Sequence, residues 1–457
     1  MSKKNVNFVC TSCTYQTPKW MGRCPECGQW NSFSEETESF GKIAARKLKI
    51  EDFKSEVREL AGFSEEIGES LKIKTGILEF DRVLGGGITK SSFVLIGGEP
   101  GIGKSTLLLM AAGKVASVSD EKLLYVSGEE SGHQVNQRAQ RLKINAKNIH
   151  FLNDCSIEKI KTALVKLRPK FLIIDSIQTI YSEEIDSPPG TVTQIREVTY
   201  QLMTISKQNG ITTFVVGHVT KEGNIAGPKM LEHMVDCVIY FEGDSLNNYR
   251  FLRCIKNRFG NTNEVGIFQM AEDGLEEVPN PSKIFLAESI EAGHGRSLTC
   301  LLEGTRPLVV ETQALVVENK FGNGRRITQG LDLGRLNLLI AIIEKYFKMP
   351  VSYNDIYVNI VGGLKLSGRD SDLSIIASIV SSFLSKPIIN RSVFLGEVGL
   401  TGEVRSVQFT ELRVKEIALM NYKKLICSTQ AAQKLKGHSE LEIIGITNAV
   451  EIRDIFS

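Results

Sequence analysis

The chain has 457 residues, 42% of them hydrophobic, and its 55 lysines and arginines almost balance 53 aspartates and glutamates, leaving a net charge of +2. That length predicts about two to four domains of about 150 residues, each with apolar content enough for a core. The balanced charge points to no particular partner, so any contact with nucleic acid must come from local basic patches. No run approaches the roughly 18 uninterrupted apolar residues of a membrane span. The N-terminus, MSKKNVNFVC, has no apolar signal core. A cytoplasmic protein with no membrane partner is expected.

Four of the nine cysteines fall at the start, as Cys10, Cys13, Cys24 and Cys27. Two CxxC pairs on tight turns can close a tetrahedral Zn²⁺ site with no open position, which makes the site structural rather than catalytic. Disulfides would need an oxidising compartment, which nothing in the sequence suggests. A redox role lacks the βαβ context that such motifs occupy. Residues 1–33 are therefore expected to form a zinc module whose folding energy comes from the metal, with Trp20, Trp30 and Phe33 packed around it. Residues 34–69 are charged and poor in aromatics, and are expected to be a linker. Cys155, Cys237, Cys254, Cys300 and Cys427 stand mostly in apolar settings and are expected in cores.

Residues 70–280 carry the strongest signal. A turn at Gly85-Gly86-Gly87 separates a short helix from an apolar strand, Phe93 to Ile96. The next stretch, Gly98-Glu99-Pro100-Gly101-Ile102-Gly103-Lys104-Ser105-Thr106, fits the phosphate-binding pattern GxxxxGK[ST] and runs into a helical segment. Glycines let backbone N–H groups close on a triphosphate, and a helix N-terminus adds partial positive charge. Lys104 is expected to reach the outer phosphates of ATP, and the Ser105 hydroxyl to bind Mg²⁺. Strand-like runs recur at Lys122–Val126, Phe171–Ile174, Thr212–Val216 and Val238–Phe241, the alternation of a mostly parallel sheet wrapped by helices.

Carboxylates stand where such sheets place chemistry, after the strands. Asp175 ends FLIID and is placed to complete the Mg²⁺ shell. Glu129 and Glu130 follow the earlier strand, Lys122–Val126, and either can orient or deprotonate an attacking water. His218 follows TTFVVG, where a polar group can sense a γ-phosphate; the plain alternative is a loop histidine with a satisfied ring. KNRFG, Lys256 to Gly260, offers two cations as a phosphate clamp, as a reach into a neighbouring subunit, or as a solvated hairpin.

In order, the phosphate loop, Glu129, Asp175 and His218 resemble the RecA-type ATPases. With the CxxC–CxxC module in front and KNRFG behind, the chain resembles the bacterial RadA/Sms DNA repair family over essentially its whole length. The resemblance favours Glu129 over Glu130 as the catalytic carboxylate. It implies a homohexameric ring with ATP at subunit interfaces and single-stranded DNA in the channel. It also implies ATP-driven translocation that extends branched recombination intermediates together with the RecA recombinase. By the same resemblance the DNA-facing loops are Tyr181–Thr193, with Pro188-Pro189-Gly190, and Val219–Lys229, with Lys221 and Lys229. Both are expected to be mobile.

Residues 285–457 begin with LTCLLEGTRPLVVETQALVV, whose β-branched density predicts paired strands. Helices are expected around Arg335–Tyr346 and Ser371–Leu384, and a strand-turn-strand near Val393–Val407. This α+β pattern resembles the proteolytic domain of Lon proteases, whose catalytic dyad is Ser–Lys. An ungapped placement puts Asp370 at the serine position and Glu411 at the lysine position. Neither can do its job, a one-residue slip leaves Leu412 or Thr410 for the base, and Lys415 lies about one helical turn too far. A scaffold or DNA-contacting domain is expected rather than a protease. Lys320, Arg325 and Arg326 form a basic cluster among glycines, a DNA contact or a solvated hairpin tip, to which Arg306 would add if the strands pair suitably.

The fold expected is thus an α/β, RecA-like P-loop ATPase core, with the four-cysteine module before it and a Lon-protease-like α+β domain after it. Two rivals remain: a RecA-like regulatory ATPase acting on protein, whose relatives lack the zinc module, and a Lon-type protease, which needs the dyad.

Overall fold

The computed structural model describes residues 6–10, 15–26, 28–30, 32–37, 72–118, 120–218, 230–243, 249–283, 286, 293–319, 324–362, 364, 366, 368–388, 392–437 and 441–456. The chain divides into two units, Met1–Gly243 with Arg250–Glu277, and Asp244–Tyr249 with Val278–Ser457. Among the described residues no helix is long and apolar enough to cross a membrane.

The N-terminal segment is a three-stranded antiparallel sheet, β1 (Val6–Cys10), β2 (Gln16–Thr17) and β3 (Phe33–Thr37), in the order β2-β1-β3. Strand β3 continues past residue 33, because its pairing with β1 runs from Cys10↔Phe33 to Val6↔Thr37. Cys10 and Cys24 are buried and each opens a tight turn: the Cys10 N–H donates to the Tyr15 carbonyl and the Cys24 N–H to the Gln29 carbonyl, both at 2.9 Å. This repeated turn is what a four-cysteine knuckle pair requires. Cys13 and Cys27 lie outside the described residues. The tryptophans do not pack inward as expected: Trp20 is 55% exposed and Trp30 71%. Only Phe33 is partly covered.

A short hairpin, β4 (Lys72–Ile73) and β5 (Ile88–Thr89), brackets the helix Leu78–Val83. Gly85, Gly86 and Gly87 all take positive φ, at 75°, 106° and 135°, which explains the triplet. The main sheet has nine strands: β6 (Phe93–Gly98), β7 (Leu123–Ser127), β8 (Ile149–Leu152), β9 (Phe171–Asp175), β10 (Thr212–His218), β11 (Cys237–Gly243), β12 (Tyr249–Asn257), β13 (Val265–Ala271) and β14 (Gly274–Glu277). Their order is β14-β13-β12-β11-β6-β10-β9-β7-β8. From β11 to β8 all neighbours are parallel; β12 returns antiparallel to β11.

The uninterrupted apolar strands follow from burial on both faces. Val94 and Ile96 of β6 pack with Leu107, Leu108 and Ala111 of the helix Lys104–Val118. Their alternating neighbours Phe93 and Leu95 pack with Ile160 and Leu164 of Ile157–Leu167 and Val198 and Leu202 of Val192–Asn209. Period-two alternation thus splits each strand between two helical layers.

The second unit is α+β. Its seven-stranded sheet comprises β15 (Arg296–Glu303), β16 (Arg306–Glu318), β17 (Arg326–Gln329), β18 (Asn354–Ile360), β19 (Ser392–Leu395), and β22 (Lys424–Ser428) and β23 (Glu442–Ile446), which follow a two-stranded ribbon β20 (Glu397–Val398) and β21 (Val404–Arg405). The helices Leu333–Ile342 and Asp372–Leu384 supply one apolar cluster, and Thr410–Leu419 and Thr429–Leu435 another. Arg306 does not join the basic cluster. It is buried beside the β15–β16 turn, at the opposite end of the 13-residue β16 from Glu318, about 40 Å away at strand rise. Arg326 is committed to backbone, donating to the carbonyls of Gly324, Ser352 and Asn354. Arg325 is exposed, and Lys320 lies outside the described residues.

Asp370, just before the helix Asp372–Leu384, accepts from the Arg413 guanidinium, which is 1% exposed and also donates to the carbonyls of Cys300 and Gln408. Three elements meet on this one side chain. Glu411 is exposed in the first turn of Thr410–Leu419, and Lys415 is exposed further along it. Arg413→Ala would leave a carboxylate and two carbonyls without their donor. The expected cost is about 3–5 kcal/mol, read as a fall in the urea midpoint of the second unit; an unchanged midpoint would show that the cluster contributes nothing.

Candidate active site

The sheet brings the expected residues to one edge. Glycines let the phosphate loop turn tightly there: Gly101 and Gly103 have φ of 77° and 118°, and a Cβ on Gly98 would stand 2.6 Å from the Phe241 carbonyl. Lys104 opens the following helix, is 3% exposed, and donates to the carbonyls of Gly98 and Glu99, both at 2.8 Å. Burial pulls its ammonium pKa down to about 8, against the opposing fields of Asp175, Glu129 and Glu99. A phosphate brought to the loop favours the charged form.

Strand register sets the other groups. Ser127 pairs with Asp175 and His218 with Gly98, while Val215 pairs with Ile174, so β6 and β10 run two residues past the ends of β7 and β9 at the same edge of the sheet. Asp175 is 5% exposed and accepts from the Tyr125 hydroxyl at 2.6 Å. Burial, then the Asp175 carboxylate, pushes the Tyr125 phenol well above its ordinary pKa, so it stays a donor. A fixed, buried carboxylate close enough to Lys104 to act on its charge, together with the Ser105 hydroxyl in the first turn of the same helix, is a donor set suited to Mg²⁺ and a triphosphate.

The two adjacent glutamates separate cleanly. Glu130 takes two bonds from Arg138, at 2.7 and 2.5 Å, and is thereby neutralised. Glu129 keeps its charge toward the site: one oxygen accepts from the Ser176 hydroxyl at 2.5 Å and lies 3.3 Å from His218 Nε2, while the side chain stays 43% exposed. Gln178 donates to the His218 carbonyl at 3.2 Å. Its own Oε1, like His218 Nδ1, is buried with no hydrogen-bond partner among the described residues. Sequence reasoning missed Ser176, Gln178, Tyr125 and Arg138. Position alone flags Ser176, which follows the acid at the end of β9; the others act through tertiary contacts.

Lys256 and Arg258 are not brought to this edge. Asn257 pairs with Cys237, and Cys237 with Val94, four residues before Gly98, so they lie roughly 13 Å away along the strands. This corrects the phosphate-clamp reading within one subunit. Lys256 donates to the Glu232 and His233 carbonyls. Arg258 pairs at 3.1 Å with buried Asp236, which also accepts from Lys207 and the Phe93 N–H.

The segment Tyr181–Thr193 is a hydrogen-bonded platform rather than a free loop. Gln194, buried in the following helix, accepts from the Ser182 N–H and donates to the carbonyls of Ser182, Ile185 and Ser187. Its exposed charges, Glu183, Glu184 and Asp186, are acidic. The segment 219–229 lies outside the described residues. The geometry predicts that Glu129→Gln lowers ATP turnover by about 10²–10⁴-fold, whereas Glu130→Gln changes it far less. Steady-state hydrolysis of both variants checks this; the reverse ranking would reassign the carboxylate.

The sequence matches the family described as ATPase: KaiC over residues 73–153 and 153–276, and a rubredoxin metal binding domain, the zinc ribbon of the LapB type, over residues 8–35. The DNA repair protein RadA of Bacillus subtilis strain 168 is 47% identical over 99% of this chain and 98% of its own. The proteins of that name from Halalkalibacterium halodurans and Streptococcus pyogenes serotype M6 are 44% and 43% identical over 100% of this chain and at least 99% of theirs. Similarity of this extent, spanning the zinc ribbon, the ATPase core and the second unit alike, means that the chain belongs to the RadA family of DNA repair proteins, with a RecA-like ATPase domain.

Proposed function

We propose that this protein is a DNA-dependent ATPase of homologous recombination, which translocates on single-stranded DNA and extends branched intermediates together with the RecA recombinase. The observation that carries the reading is the convergence of Lys104, Asp175 and Glu129 on one glycine-lined loop, with Ser176 and His218 fixing the Glu129 carboxylate. In this reading Gly98–Thr106 cradles the phosphates of ATP, and Ser105 and Asp175 hold Mg²⁺, which neutralises phosphate charge. Lys104 binds the outer phosphates. Glu129 orients the attacking water and accepts its proton. His218 reports the γ-phosphate to Glu129. Cys10, Cys13, Cys24 and Cys27 hold Zn²⁺ as a folding element. The protein acts in the cytoplasm.

The domain limits in this reading are 1–37 for the zinc module, extended from the expected 33 by the pairing of β1 with β3, 38–69 for the linker, 70–280 for the ATPase and 285–457 for a Lon-like scaffold. The Asp370–Arg413 ion pair supports a scaffold without peptidase activity, since an acid engaged by a guanidinium is no nucleophile. Lys256 and Arg258, remote from their own phosphate loop, serve the site of the neighbouring subunit in a homohexamer.

ATP turnover with and without single-stranded DNA tests the reading directly. Stimulation by DNA is expected, with Lys104→Ala at least about 100-fold slower. Equal turnover with and without DNA would remove the motor, and full activity of the variant would remove the assigned loop.

The trans role makes a sharper prediction. Lys104→Ala and Arg258→Ala proteins are each expected to be nearly inactive, while Arg258→Ala still binds nucleotide. Mixing and reassembling the two should restore part of the hydrolysis, because some interfaces then pair an intact loop with an intact arginine. No recovery on mixing would show that Arg258 serves only its own subunit, through Asp236.

A further inference from the structure

The chain of 457 residues contains two tryptophans, and both stand on the surface of the N-terminal module. Indole is the largest apolar side chain, and a small domain short of core ordinarily covers it. Here Trp30 is 71% exposed and Trp20 55%, with Tyr15 of the same module at 37%. The two rings converge over Gly22: a Cβ built there would lie 3.8 Å from Trp20 Cη2 and 3.8 Å from Trp30 Cζ3.

The surroundings decide what such a surface suits. The Arg23 guanidinium lies over the Trp30 ring, 5.9 Å from its centroid, and is held by a 3.0 Å bond from Nε to the Gly28 carbonyl. Lys19, also exposed, precedes Trp20. Cations beside exposed aromatic rings meet both halves of an unpaired nucleotide: the phosphate is attracted to the guanidinium and ammonium, and the base has a π-face for the indole. A protein partner that only buried the apolar rings would leave these cations uncompensated at its rim.

We propose that Trp20 and Trp30 form a stacking platform for unpaired bases of single-stranded nucleic acid, with Arg23 and Lys19 holding the adjoining phosphates. The proposal rests on the single-strand-binding activity proposed above and adds a second contact for that strand, distinct from the ATPase segments. Because every base has a π-face, the platform reads no sequence.

The test uses the full-length zinc-loaded protein, whose intrinsic emission comes from these two indoles. An oligothymidylate is titrated in, with binding followed by anisotropy of a labelled copy. Quenching that saturates together with the anisotropy is expected, whereas an abasic strand of the same length, once bound, quenches far less. Trp20→Ala and Trp30→Ala are each expected to weaken oligothymidylate binding at least about fivefold. The matching phenylalanine variants should weaken it less, and all four variants should retain zinc.

Normal anisotropy with unchanged emission and unchanged variant affinities would overturn the platform while leaving the ATPase reading intact. Absence of any binding to the strand would overturn both. Wild-type DNA affinity in the alanine variants together with lost binding to RecA recombinase would assign the surface to a protein partner, and that too would overturn it.

Discussion

An ammonium group buried at the end of a parallel sheet is the constraint around which the ATPase domain is arranged. Lys104 is almost inaccessible to water, and an isolated charge there would be strongly disfavoured. Its environment offsets that cost with two backbone carbonyls and the fields of Asp175, Glu129 and Glu99. The carboxylates must therefore be close, and to stay close they must themselves be held. Tyr125 holds Asp175, and Ser176 holds Glu129. Because these groups stand on β7, β9 and the loop after β6, the position of the charge depends on strand register. A slip of one residue would turn Asp175 to the other face of the sheet.

Much of this was legible in the sequence because local rules suffice where backbone makes the site. Gly98 to Ser105 announces a loop between a buried strand and a helix, and Asp175 ends an apolar run that can only be an interior strand. What needed the structure was everything set by contacts distant in sequence. Glu129 and Glu130 are the same residue type at adjacent positions. They differ because Arg138, one helix later, neutralises the second. Spacing alone does not say where Lys256 and Arg258 go; that depends on β12 returning antiparallel along β11. The tryptophans mislead for a different reason: hydrophobicity predicts burial on average, and a surface built for recognition violates the average.

In the second unit a buried arginine ties separate elements together. Asp370 accepts from Arg413, and Arg413 directs its remaining donors to the carbonyls of Cys300 and Gln408. Nearby, Arg335 pairs with buried Asp372, and the hydroxyls of Ser297, Thr312 and Ser374 satisfy one another beneath the sheet. Each of these groups is matched, as a buried network must be if it is not to destabilise the fold, although Thr299 Oγ1 in the same sheet is buried with no partner among the described residues. Such a network can fix the relative positions of strands and helices, which is what a scaffold needs.

The proposed ring follows most economically from β6. At its C-terminal end this strand delivers Lys104; at its N-terminal end the Phe93 N–H is bonded to Asp236, and Asp236 holds Arg258. One strand therefore fixes the spacing between a phosphate-binding loop and a cation that its own loop does not meet. Two such halves on opposite ends of one rigid element cannot close on each other within a subunit. In the proposed ring they would meet only between subunits, and a heterologous contact of that kind closes into a ring when its rotation divides the circle evenly. Nucleotide bound at one end of β6 would then be sensed through the next subunit's Asp236–Arg258 pair. In such a ring hydrolysis would be a property of the interface.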